Sequence, residues 1–268
     1  MKKIFSIITL SALMLLVMGC DKIDINNTHK PYTPSGGGKT VLIKDFTGVR
    51  CSNCPDAAEV VHELQHQLGE DRVLVLSVHA GYLAQAGGQF HNFTTPEGTE
   101  WYGSNASNPL FSVDRVGLTD GNTLYVEQID VPVVEALAEP QTFEVFITNR
   151  YEEMTRQLHV ESEVTALAEQ YGSYYVTLCL VEDSIVGRQA IQGGYDTAYV
   201  FRDVFRGTLN GAAGEVFCEG QVYVDDDYIY KYDIALDSAY NADQCYIMTY
   251  VYDKADGKIL QTAMKKIK

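Results

Sequence analysis

Val41-Leu42-Ile43-Lys44-Asp45-Phe46-Thr47-Gly48-Val49-Arg50-Cys51-Ser52-Asn53-Cys54-Pro55 is an apolar run that breaks at a glycine and delivers two cysteines to a helix start. With Ser52 or Asn53 as N-cap, Pro55 falls in the first turn, where its missing N–H breaks no intrahelical bond. Two thiols at this spacing can close a small disulfide ring or hold half of a zinc site. A zinc ribbon needs a second pair, and Cys20, Cys179, Cys218 and Cys245 stand singly. Redox chemistry is the better reading, and no metal is expected.

The local physics assigns roles within the pair. Thiolate is the nucleophile in disulfide exchange, and free N–H groups at a helix N-terminus and nearby cations stabilise it. Cys51 has both, with Arg50 beside it. Cys54, three residues on, shares its helical face and can resolve a mixed disulfide. Cys51 is therefore expected to be the exposed attacker and Cys54 the resolver.

Outward from this stretch, the N-terminus reads as an export signal: Lys2 and Lys3, then an apolar run from Ile4 to Met18 ending at Gly19-Cys20, too short to span a membrane. A cysteine directly after Gly19 marks a lipoprotein signal over residues 1–19, with lipid on Cys20. Residues 20–38, with Pro31, Pro34 and Gly36-Gly37-Gly38, read as a tether in which His29 is a solvated linker residue. The chain carries 36 acidic and 20 basic residues, and loss of the signal removes two lysines and no acid. Such a field does not bind nucleic acid and is repelled by acidic lipid, so membrane attachment falls to the lipid anchor. Export also places the cysteines where disulfides persist.

The helix from Pro55 to Leu68 contains His62-Glu63-Leu64-Gln65-His66, which matches a zinc-protease pattern, but the third histidine position of its longer form is Arg72. On a helical wheel Ala57, Val60, Val61, Leu64 and Leu68 form the core stripe and the histidines fall opposite, so the pair reads as solvated. Arg72 to Val78 is a strand buried on both faces. It ends at His79, at the sheet edge where ligands sit in α/β folds, either near the cysteines or as a loop cap. From Gly81 to Asn108 runs a long segment with Phe90, Phe93, Trp101 and Tyr102, which either covers the cysteines or packs a small helix on the core. Leu110 to Val113 reads as a strand, Thr123 to Ile129 as a further strand or strand-like segment, and Val131 to Ala138 as a helix.

Beyond Pro140 the pattern changes to short runs of period two between turn signals, an antiparallel sandwich. Fourteen of the eighteen tyrosines lie here. They offer a possible surface for a ligand of this C-terminal domain, although tyrosine is also simply a good strand former. Cys179 reads as buried; Cys218 and Cys245 flank a hairpin and can pair or stay free. The connection from Gly187 to Gly214, with Gly193-Gly194-Tyr195, suggests no chemistry.

A strand carrying Asp45, a turn, C-x-x-C, a helix and a second buried strand resemble the thioredoxin fold. The resemblance implies that Asp45 is a buried carboxylate relaying protons for Cys54, and that Asn108-Pro109 is a cis-proline facing the disulfide. The wider order is similar to the Omp-twenty-eight-related outer membrane lipoprotein family of Bacteroidetes. It rests on Thr47-Gly48 before Cys51-Ser52-Asn53-Cys54-Pro55, then His79-Ala80-Gly81, Asn108-Pro109 to Asp114-Arg115, Phe201-Arg202, and Gly211 to Gly214. That resemblance implies a lipid-anchored outer-membrane protein, periplasmic or surface-exposed. The expected architecture is a thioredoxin-like α/β domain over residues 39–140, followed by an all-β antiparallel, immunoglobulin-like sandwich domain over residues 141–268. Two functions follow: exchange of thiols and disulfides with envelope proteins through Cys51, Cys54, Asp45 and Pro109, supported by Arg50 and His79; or an adhesin-like binding module whose C-x-x-C is a structural disulfide. No cofactor is implied by either.

Overall fold

Seven consecutive buried residues, Val41–Thr47, form the first strand, β1. A strand sends alternate side chains to opposite faces, so burial of every position requires cover on both. The computed structural model describes residues 38–119 and 121–268. The expected signal segment, the lipid site Cys20 and the linker up to residue 37 lie outside the described residues.

After β1 come α1 (Cys54–Leu68), β2 (Val73–His79), α2 (Pro96–Tyr102), β3 (Leu110–Val113) and α3 (Asp130–Leu137). The remainder is β4 (Phe143–Glu152), β5 (Gln157–Ala166), β6 (Gln170–Glu182), β7 (Ile185–Ile191), β8 (Gly194–Phe201), β9 (Val204–Thr208), β10 (Glu215–Val222), β11 (Asp227–Ala235), β12 (Cys245–Asp253) and β13 (Lys258–Lys266). Strand β1 pairs in parallel with β2 and antiparallel with β3. These three end an eight-stranded sheet ordered β13-β12-β6-β9-β2-β1-β3, with β10 also on β6. Strands β11, β5 and β4 form a second sheet, and β7 with β8 a separate hairpin.

This arrangement overturns the expected thioredoxin-like α/β domain followed by a separate immunoglobulin-like sandwich. The structure is dominated by strands, its α-helices among the described residues number three, and none exceeds 15 residues. The sheet does not stop near residue 140. Strand β9, from far along the chain, lies parallel to β2, where Ser77 pairs with Val204 and the Ser77 N–H donates to Asp203 O at 2.8 Å. The free edge of β2 carries main-chain donors and acceptors that need partners once buried, and β9 supplies one.

The two faces of the large sheet follow from period two. Leu42 and Phe46 of β1, Leu74, Leu76 and Val78 of β2, Cys179 and Val181 of β6, and Met248 and Tyr250 of β12 share one core with Trp101 and Tyr102 of α2. On the other face, Val41 and Ile43 pack under Ala57 and Val61 of α1 and Val133 of α3. Farther along that face, Leu178, Ile247 and Val251 meet Phe143, Ile147, Val160 and Val164 of the three-stranded sheet. Tyr228, Tyr230 and Tyr232 of β11 pack against this last core, so these tyrosines are packing residues.

Two local expectations change. Thr123 to Ile129 is not a strand: a single bridge joins Phe111 to Leu124, and Val126–Gln128 is a turn of 3-10 helix. Val60, placed on the core stripe of α1, is 51 % exposed. The sheet reaches only the side of the helix that carries Ala57 and Val61.

Candidate functional site

Cys51 and Cys54 are joined by a disulfide with Cα atoms 5.4 Å apart. The turn that holds them begins at Gly48, where a Cβ would lie 2.6 Å from the Leu83 main chain. Cys51 N–H donates to Gly48 O and Arg50 N–H to Leu83 O, both at 2.9 Å. Asn53 is the N-cap of α1, with Pro55 in the first turn.

Cys51 was expected at the surface; it is 2 % exposed, and Cys54 3 %. Its cover is the β7–β8 hairpin, from the connection that suggested no chemistry. Ala190 N–H donates to Val49 O at 2.9 Å, and the buried Gln189 side-chain amide donates to Cys51 O at 2.9 Å and Gly48 O at 3.2 Å. At the hairpin tip Gln192 hydrogen-bonds Asn53. Arg188 stacks over Tyr195, 4.1 Å from the ring centroid, and over Phe90, which Arg50 also approaches at 5.7 Å. Period two and the Gly193-Gly194 turn were the signal for this hairpin; Gly193 takes a φ of +79°.

The residues assigned to exchange are partly brought together. Asp45, Cys54, His79 and Gln189 line one cavity of about 420 Å³. Asp45 is 3 % exposed, its Oδ1 has no hydrogen-bond partner, and burial raises its pKa to about 7. His79 packs edge-on against Phe93, with ring centroids 4.8 Å apart, and its pKa is pushed down to about 3, first by burial and then by Arg206. A neutral imidazole supplies no positive charge to a thiolate. The Asn108–Pro109 peptide is cis, and Asn108 Nδ2 donates to Phe46 O at 2.9 Å. Pro109, however, lines a separate groove of about 500 Å³ with Asn53, Val60 and Tyr125.

The zinc-protease pattern does not assemble. His62 Nδ1 lies 3.9 Å from Asp203, whereas His66 Nδ1 lies 3.4 Å from Glu70. Among the described residues no group of three or more His, Cys, Asp or Glu is placed to hold a metal. Cys179, Cys218 and Cys245 are free thiols, the first and last buried, so the possible Cys218–Cys245 pairing is not formed.

A second candidate surface is the outward face of the three-stranded sheet. Phe146, Glu163 and Ile229 are cross-strand neighbours there, as are Arg150, His159 and Asp233. Phe146 is 60 % exposed.

The family model described as outer membrane protein Omp28 matches residues 102–268, from the end of α2 through β13. The chain belongs to the Omp28 family. An outer-membrane location in the cell envelope accords with that membership. Among solved structures, this Omp28-family chain is similar to HBP35 of Porphyromonas gingivalis, with 14 % identity and a TM-score of 0.65 over 87 % of this chain and 76 % of that one. At that identity the likeness shows a shared fold. A domain of the outer membrane lipoprotein Omp28 from Porphyromonas gingivalis aligns at 22 % identity and a TM-score of 0.33 over 47 % of this chain and 88 % of that one. No curated protein matches this chain.

Proposed function

We propose that this protein is a lipid-anchored outer-membrane binding module whose Cys51–Cys54 disulfide is a structural clasp. The observation that supports this reading is the burial of both cysteines beneath the β7–β8 hairpin, with Gln189 bonded to the main-chain oxygens of Gly48 and Cys51. A guest chain attacking the bond would first have to displace that hairpin. The binding face in this reading is the outward side of the β4-β5-β11 sheet, where Phe146 and Ile229 stand exposed among charged neighbours. Membrane attachment comes from lipid on Cys20.

A redox titration of the mature protein tests the clasp. Its reduction potential is expected below about −300 mV, outside the range of the glutathione pool. Cys54→Ser, which would leave Cys51 as the only thiol of the pair, is expected to capture no envelope protein in a mixed disulfide. Capture of defined partners by Cys54→Ser and not by Cys51→Ser would refute the reading.

One observation favours exchange instead: the buried carboxyl of Asp45 shares a cavity with Cys54. In that reading an envelope dithiol first reduces the Cys51–Cys54 bond and leaves as a disulfide; Cys51, as thiolate, then attacks a partner disulfide, forming a mixed disulfide and expelling one partner thiolate. Cys54 gives its proton to Asp45, attacks Cys51 and releases the partner as a dithiol. Pro109 would flank the guest chain.

A further inference from the structure

The cavity over Asp45 contains a feature that a structural clasp does not use. Asp45 leaves β1 on the side facing α1, and its Oδ1 is buried without a partner. A carboxyl oxygen held from water and unmatched costs stability wherever the group is ionised. Nothing in the packing requires an acid at this position. The cavity is open at its rim, where Asp56 and Glu59 of α1 are exposed. At about 420 Å³ it falls within the range of small-molecule pockets.

The charges around it are lopsided. Asp56, Glu59 and His62 face it from α1, His79 from the end of β2, Tyr199 from β8, and Arg202 from the turn after β8. His79 is neutral, and burial lowers the pKa of His62 below its ordinary value. Three carboxyl groups, one on the floor and two at the rim, thus oppose a single guanidinium. Tyr199 and Phe201 add aromatic surface to the walls, which suits a cation as well as an alkyl stem.

We propose that this cavity binds a primary ammonium group, with the Asp45 carboxyl group as its acceptor, Asp56 and Glu59 drawing it in, and Tyr199 and Phe201 flanking its alkyl stem. With Oδ1 sealed, Asp45 has one oxygen left to offer the cavity, which suits a compact point charge; a guanidinium is best matched by two coplanar acceptors. The ammonium belongs either to a free alkylamine or to a lysine side chain of a partner polypeptide. The disulfide stays closed throughout, so the proposal stands apart from any role of the cysteines.

Calorimetric titration of the mature oxidised protein with 1,4-diaminobutane, N-acetyl-lysine-N-methylamide and its uncharged norleucine analogue tests it. At least one amine is expected to bind at millimolar concentration or below, and the norleucine analogue not to bind. Binding of the diamine alone assigns a free amine, and binding of the lysine derivative alone assigns a side chain. Asp45→Asn is expected to weaken binding by about tenfold or more, Glu59→Gln by less. Because an ammonium beside Asp45 favours its ionised form, wild-type binding near pH 7 should release a fraction of a proton, seen as a buffer-dependent heat that vanishes at higher pH. That signature needs no variant. Silence from both amines, equal binding of the norleucine analogue, or undiminished binding to Asp45→Asn would overturn the proposal.

Discussion

The Gln189 side-chain amide donates to the main-chain oxygen of Cys51 at 2.9 Å across 138 residues of sequence. It fastens the β7–β8 hairpin over the disulfide, and the same nitrogen reaches Gly48 O, so one side chain serves both ends of the turn that carries Cys51. Gln189 is itself buried, which makes these bonds costly to lose.

Gln189→Leu keeps the bulk and removes the donor, leaving three buried carbonyls, those of Gly48, Cys51 and Ala190, without it. The expected result is a loss of about 1 to 3 kcal/mol in denaturant unfolding, together with faster reduction of the disulfide by dithiothreitol. An unchanged reduction rate would show that the hairpin does not guard the bond.

Opening the disulfide is expected to cost little. The ring it closes is short, and the loop-entropy relation gives about 2 kcal/mol for a closure of this length. Cys51→Ser with Cys54→Ser should therefore remain folded, with its urea midpoint lowered and the slope of the transition unchanged. A variant that fails to fold would mean that the clasp also holds the hairpin and α1 in place.

The pH dependence follows from Asp45. Its carboxyl is raised to about 7 in the folded protein by burial, against about 3.9 in an unfolded chain. Between these values the folded state keeps a proton that the unfolded state has lost, so this group's contribution to stability falls as pH rises from about 4 to about 7 and is level above that. Asp203, raised to about 7 by burial and then by Asp183, acts in the same direction. Asp45→Asn should match wild type near pH 4 and exceed it by about 2 kcal/mol or more at pH 8. Parallel stability curves for the two proteins would contradict this.

Lys39, 1 % exposed, reaches Asp114 at 2.8 Å and Glu139 at 2.6 Å, tying the approach to β1 to the ends of β3 and α3. Lys39→Met leaves the Asp114 carboxyl buried without its cation, a loss of about 3 kcal/mol. Adding Asp114→Asn should recover much of it, since an amide oxygen can still accept from Leu42 N–H as Asp114 does at 2.8 Å. No recovery in the double variant would place the cost elsewhere.

Much of the site's local chemistry was legible along the chain. Gly48, Pro55 and the cysteine spacing announce a strand, a tight turn and a helix start, because each acts on its immediate neighbours. The cover was not legible. Gln189 and Ala190 carry an ordinary strand pattern, and nothing in that pattern names Val49 or Cys51 as partners. Lys44 misleads in another way. Its position in an apolar strand does not disclose that its Nζ rests 3.7 Å from the Trp101 ring centroid and donates to Val116 O at 2.6 Å, with its pKa lowered to about 7 by burial.

The sequence by itself determined the local elements around the cysteines: the buried strand β1, the tight turn at Gly48, the start of α1 at Cys54-Pro55, the pairing capacity of Cys51 and Cys54, and the acid at Asp45. These depend on side-chain periodicity and on the backbone preferences of single residues. Only the tertiary structure decided that β9 would complete the edge of β2, joining both halves of the chain in one sheet, and that β7 and β8 would close over the disulfide. Strand pairing uses main-chain groups that every residue carries, so the choice among distant partners is made by how whole faces pack.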